Sequence, residues 1–142
     1  MFKVLIADKL SEEAVRIFSD NGIEAIVKNG LDENALIEAL QDCDGLVVRS
    51  ATKATKKVIE SCKKLKVIGR AGIGVDNVDL EAATNNGKVV MNTPFGNSIT
   101  TAEHAITLIL STARQIPYAS QTTHEGKWEN LLSKELKLLE NI

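Results

Sequence analysis

Five short apolar runs, each followed by a stretch with helical periodicity, fill the first two thirds of the chain, and this alternation leaves few folds open. The runs are Val4-Leu5-Ile6-Ala7, Ile23 to Val27, Gly45-Leu46-Val47-Val48, Lys66-Val67-Ile68-Gly69 and Val89-Val90-Met91. Unbroken apolar strands, as opposed to alternating ones, imply burial on both faces. Strands separated by helices imply parallel neighbours joined by right-handed crossovers. The expectation is an α/β, flavodoxin-like, doubly wound parallel sheet of about five strands over residues 1–96.

The intervening stretches carry helix punctuation. Ser11 is placed to cap the first helix, with Glu12 and Glu13 suiting its positive start and Asn21-Gly22 ending it. Ala14, Val15, Ile17 and Phe18 should form its inner face. Asp32 precedes a helix with Leu36, Ile37 and Leu40 on one side, and Thr55 one carrying Val58, Ile59 and Cys62. A short helix over 79–86 is stopped by Gly87. Beyond residue 96 the character changes. Thr100-Thr101-Ala102-Glu103 reads as a capping box, so Glu103 is the capping acid. Ala105, Ile106, Leu108, Ile109, Leu110 and Ala113 then make a helix apolar nearly all round, which needs a second domain or another subunit to cover it. Residues 115–130 read as a polar stretch with the single Trp128, and 131–142 hold a weak helical pattern.

Bulk properties narrow the function classes. The formal charge of −2 gives no general attraction to nucleic acid or an anionic membrane, and the basic run from Lys53 to Lys66 reads as a solvated helix face. Cys43 and Cys62 form no C-x-x-C pair and have no His cluster beside them, so no metal site is expected and a reducing cytoplasm suits them. The run at the amino end is too short and charged for a signal peptide, and 105–113 is too short to span a bilayer.

Ligands of an open parallel sheet bind beyond the carboxyl ends of its strands. Arg49, with Ser50, stands at one such end and can grip a carboxylate or phosphate through two parallel hydrogen bonds. Its alternative role is an internal salt bridge to Asp44 or Asp76. Arg70 and the loop Gly72-Ile73-Gly74 stand at the next end. This loop fails as a dinucleotide fingerprint, because Asn77 occupies the third glycine position and no acid ends the partner strand. It reads as an anion cradle of backbone N–H groups or as a tight turn needing positive φ. After the Pro94–Gly96 turn, Asn97 or Ser98 starts the long helix, and Asn97 could reach a ligand or serve as a cap. Asp8 after the first strand invites comparison with receiver domains, which need a second acid where Arg49 stands, so that comparison fails. His104 and His124 have no acid suited to make either a catalyst, and no residue is assigned a catalytic role.

Val48-Arg49-Ser50, the stretch from Val67 to Asp79, Asn92 to Ser98 with Ala102-Glu103-His104, Ala113 to Pro117 and Gly126 to Glu129 resemble, in order, the phosphoglycerate dehydrogenase branch of the D-2-hydroxyacid dehydrogenase family. The resemblance implies oxidation of 3-phospho-D-glycerate to phosphohydroxypyruvate with NAD, at the start of serine synthesis. It implies that Arg49 and Arg70, with Ser50, hold the phosphate end. It makes Gly72-Ile73-Gly74 the carboxylate cradle, with Ile73 beside the nicotinamide, and Asn97 part of the cleft lining. The helix over 100–114 and an arm containing Trp128 would form a homodimer. Ile73 stands where many relatives have Thr, and 130–142 match poorly. The cofactor fingerprint and the Arg, Glu and His of hydride transfer have no counterpart here. The resemblance thus implies a substrate-binding domain over 1–96 and a crossover helix and dimerisation arm over 97–142, truncated before the NAD-binding domain. The alternative is a stand-alone ligand-binding or interaction module on the same fold. Either way the 142 residues should neither hold NAD tightly nor transfer hydride alone. A purified chain incubated with 3-phosphoglycerate and NAD is expected to give no NADH absorbance, and sustained turnover would overturn that reading.

Overall fold

The computed structural model describes residues 1–128. The chain divides into two compact units, Met1–Gly96 and one beginning at Asn97. In the first, strands β1 (Phe2–Ile6), β2 (Ile23–Val27), β3 (Gly45–Val48), β4 (Val67–Arg70) and β5 (Val89–Asn92) alternate with helices α1 (Glu12–Asp20), α2 (Glu33–Leu40), α3 (Lys56–Ser61) and α4 (Leu80–Asn85). The strands form one parallel sheet in the order β2-β1-β3-β4-β5, the flavodoxin-like arrangement.

The first three helices start where the sequence places a cap, and Asp79, expected as the first residue of the fourth, caps it instead. The side chains of Ser11, Asp32, Thr55 and Asp79 accept hydrogen bonds from the amides of Ala14, Ala35, Val58 and Ala82. Each bond satisfies one of the amides a helix start leaves unpaired. Leu5, Leu46, Val48 and Ile68 from the strands pack with Leu36, Leu40, Val58, Ile59, Ala82 and Ala83 from α2, α3 and α4. Cys43 and Cys62 lie in this core, and burial pushes both thiols above their ordinary pKa. They are packing groups, with little thiolate to act as nucleophile or ligand.

Burial on both faces holds for the centre of the sheet but not for its edge. Along β5, Val90 packs against the core, whereas Val89 and Met91 are 57% and 55% exposed. Alternation along the strand sends those two to the opposite face, which is covered only toward β1. Ile17, expected on the inner face of α1, is 53% exposed. The stripe facing the sheet runs through the half-buried Ala14, Val15 and Phe18 and leaves Ile17 at its rim.

The second unit contains α5 (Ser98–Ala113) and α6 (Ile116–His124). The expected capping box at Thr100 and Glu103 is not formed. The Asn97 carbonyl accepts from the Thr101 amide at 2.9 Å and starts the ladder, so Thr100 and Glu103 lie inside the helix. Helix α6 interrupts what the sequence suggested was a polar stretch. Gln115, with φ of 49°, breaks the chain after α5, and Pro117 sits in the first turn of α6, where its missing N–H costs nothing. The apolar side chains of α5 are bare: Ile106, Leu108, Ile109 and Leu110 are each 50–57% exposed. No helix among the described residues is long and apolar enough to cross a membrane. The pattern noted over 131–142 lies outside the described residues.

Candidate functional site

The order β2-β1-β3 reverses direction between β1 and β3, and the crevice beyond that switch point is where ligands of such sheets bind. Here the protein bridges the crevice itself. Asp8, just beyond β1 and 7% exposed, reaches across to the loop after β3. Its carboxylate accepts from the Arg49 amide at 2.6 Å, the Thr52 amide at 3.2 Å and the Thr52 hydroxyl at 2.7 Å. Burial pushes the Asp8 carboxyl up. The hydrogen bonds from the Thr52 side chain and from the Arg49, Thr52 and Ala51 amides outweigh it and hold the group below its ordinary pKa. Failure of the receiver comparison does not make Asp8 idle; it is an organiser of the loop.

Residues 49 and 70 are neighbours because β3 and β4 pair in register, Val48 against Arg70. Arg49 is exposed, its Nη1 3.4 Å from the Lys9 carbonyl. The internal salt bridges considered for it are not formed. Asp44 lies at the amino end of β3 and is taken by Lys66 at 3.1 Å and by the Lys3 amide at 3.1 Å. Hydrogen bonding from Lys3 and Lys66 lowers the Asp44 pKa. The Asp76 carboxylate lies against Gly74. Among the described residues neither Arg49 nor Arg70 is ion-paired with a carboxylate.

Arg70 ends β4 half-buried, and its Nε has no hydrogen-bond partner among the described residues. Its guanidinium lies over Gly72, where a Cβ would overlap Nη1 and Cζ. This corrects the reading of that loop as a turn needing positive φ. Neither Gly72 nor Gly74 is left-handed, and a side chain at 72 would displace the end of the Arg70 guanidinium that lies over it. The cradle is also smaller than expected. The Gly72 amide donates to the Arg70 carbonyl at 2.9 Å, which leaves the amides of Ile73 and Gly74 for the role. Asn92 secures the loop from β5, its Nδ2 donating to the Ile73 carbonyl at 2.6 Å. Ile73 is 40% exposed.

Asn77 carries a function that its sequence position did not suggest. Its Nδ2 donates at 2.6 Å to the carbonyls of both Arg49 and Thr52. Ser50 lies exposed in the same loop. Asn97 belongs to the second unit, is exposed, and makes no side-chain cap bond. His104 is exposed on α5, and His124 Nδ1 lies 2.8 Å from the Ser120 carbonyl. Glu125 bonds to Lys127 and Gln121, so neither histidine among these contacts has an orienting acid. No group of three metal-ligating side chains occurs among the described residues.

Residues 4–139 match the family described as D-isomer specific 2-hydroxyacid dehydrogenase, catalytic domain. The chain is 55% identical over 127 residues to a D-3-phosphoglycerate dehydrogenase of Sus scrofa, covering 89% of this chain and 24% of that protein. It is 47% identical over 138 residues to one from Methanocaldococcus jannaschii, covering 97% of this chain and 26% of that protein. The chain thus spans about a quarter of the length of these relatives. A crystal structure of the PH0520 protein from Pyrococcus horikoshii superposes with a TM-score of 0.82 at 30% identity, covering 92% of this chain and 39% of that one. The NAD+-bound 3-phosphoglycerate dehydrogenase of Entamoeba histolytica superposes with a TM-score of 0.69 at 33% identity, covering 80% and 39%.

The bonds to Asp8 make a prediction about acid stability. A carboxyl with a lowered folded pKa contributes stability that is complete above its unfolded pKa and fades as pH falls through the folded value. In urea unfolding, the stability gap between wild type and Asp8→Asn should be constant near neutrality and shrink as pH drops below the ordinary aspartate range. A gap unchanged by acid would show that the ionised carboxylate contributes nothing.

Proposed function

The chain belongs to the D-isomer specific 2-hydroxyacid dehydrogenase family, and from that premise we propose that it is the substrate-anchoring wall of a phosphoglycerate dehydrogenase. In this reading Arg49, Ser50 and Arg70 receive the phosphate of 3-phospho-D-glycerate. The amides of Ile73 and Gly74 receive its carboxylate. Two arginines delivered to adjacent strand ends would suit a phosphate, which accepts several charge-assisted hydrogen bonds at once. The observation that carries the reading is the placement of Arg49 and Arg70 at adjacent strand ends, neither ion-paired among the described residues.

NAD, when bound, would supply the acceptor for the hydride leaving the hydroxyl-bearing carbon. This chain's residues would hold the substrate by its two anionic ends so that this carbon faces outward. Ile73 would present an apolar surface toward the nicotinamide, where a threonine would offer a hydroxyl. Orientation of this kind lowers a barrier without any group here exchanging a proton. The reading extends to a cytoplasmic setting, where unpaired thiols such as Cys43 and Cys62 persist. It extends also to a homodimer formed through α5 and the arm at Trp128, since the apolar side chains of α5 and the 91% exposed Trp128 need cover.

Two measurements test these statements. Calorimetry with 3-phosphoglycerate should show binding to the wild-type chain and a loss of about 1.5–3 kcal/mol in Arg70→Ala, roughly 10- to 150-fold in Kd. Equal affinities would remove Arg70 from the site. Light scattering should give a dimer for wild type and a monomer for Leu108→Glu, because a charge on an apolar interface is costly; a wild-type monomer at high concentration would remove the dimer.

A further inference from the structure

We infer that Asp8 and Asn77 are positioning residues that clamp the Arg49–Thr52 loop from opposite sides and so set where Arg49 meets the ligand. The inference rests on the anion-binding role proposed for Arg49. The loop follows β3 and has no regular structure of its own until the bridge at Ala54. Its ordering therefore comes from outside. Asp8, from β1, takes the amides of Arg49 and Thr52. Asn77, from the segment between β4 and α4, takes the carbonyls of the same two residues. Both ends of the loop are thus held on their donor and their acceptor side. The Asn77 carbonyl also accepts from the Ala54 amide at 2.9 Å, and Ala54 accepts from Asp79 at 3.0 Å, which continues the brace into α3 and α4.

The two clamping groups are chemically matched to what they hold. A carboxylate is an acceptor only and faces N–H groups, while the amide nitrogen of asparagine is a donor and faces carbonyl oxygens. Their shapes are nearly the same, so exchanging one type for the other changes the bonding with little change in volume. Asp8→Asn can turn an NH2 group toward two amide donors. Asn77→Asp turns a charged oxygen toward two carbonyls. Asn77 has a second consequence. It belongs to the loop that begins with Gly72-Ile73-Gly74, so its bonds to Arg49 and Thr52 tie the phosphate-binding loop to the carboxylate cradle. The separation between the two ends of the site is then held by the Asn77 side chain together with the β3–β4 pairing.

The test is a thermodynamic cycle on the 142-residue chain, with calorimetry of 3-phospho-D-glycerate and hydrogen exchange at the loop amides. Asp8→Asn and Asn77→Ala should each weaken binding about tenfold, the loss of roughly one charge-assisted or doubly made hydrogen bond. The amides of Arg49 and Thr52 should exchange faster in Asp8→Asn. In an Arg49→Ala background each change should cost clearly less affinity, since each acts mainly through Arg49. A purely structural role would lower affinity equally in both backgrounds and would overturn the inference. Wild-type binding with unchanged affinity in both variants would overturn the clamp while leaving the anion site intact. No binding by wild type would overturn the anion site, and the positioning role with it. If Asp8→Asn does not fold, Asn77→Ala, at a half-buried surface position, carries the same cycle.

Discussion

The in-register pairing of β3 with β4 is the constraint from which the candidate site follows. Val48 opposes Arg70, so the chain delivers Arg49 and Arg70 to adjacent strand ends, where neighbouring strands lie about 4.8 Å apart. A slip of one residue would turn Arg70 to the other face of the sheet and bring Gly69 to the end in its place. The register is held by side chains with no chemistry of their own. Leu46, Val48 and Ile68 are fully buried against α2, α3 and α4, and a slip of either strand would exchange its share of that packing for the other face. The cost of that exchange, about 1.5–3 kcal/mol for each large side chain, far exceeds any local preference of the loops. The position of the arginines is therefore inherited from the core.

What could be read from the sequence was what is local in the chain. Strand β3 and strand β2 lie at their expected bounds, and the caps Ser11, Asp32 and Thr55 start the helices they precede. Each is decided by a few adjacent residues. Of the two starts the sequence offered for α5, the one at Asn97 or Ser98 is taken and the capping box at Thr100 is not, because the Asn97 carbonyl begins the ladder before Thr100 could cap it. The bonding roles of Asp8 and Asn77 escaped notice for a different reason. Their partners lie 41 and 28 residues away at Arg49, and nothing in the neighbouring sequence announces such a bond. Gly72 was visible as a glycine but not for its cause. Its close contact is with the side chain of Arg70, and contacts of that kind exist only once the strand end and the turn after it are both in place.

The two units differ in how far their geometry explains itself. In Met1–Gly96 the hydrogen bonds that shape the arginine and glycine loops begin and end within the unit: Asp8 to the loop after β3, Asn77 to the same loop, Asn92 to Ile73. Nothing outside these residues is needed to explain the positions of Arg49 and Arg70. Helix α5 is the opposite case. Its leucines and isoleucines are half or more exposed, an arrangement that a folded surface avoids unless something covers it. The relatives are about four times as long as the chain, so they contain ample sequence to provide such cover. The geometry proposed to bind an anion thus lies within the first 96 residues, whereas α5 carries an apolar surface that the described residues leave exposed. Ligand affinity measured on this chain accordingly reports on Arg49, Arg70 and their clamp, and is separable from whatever the apolar helix meets.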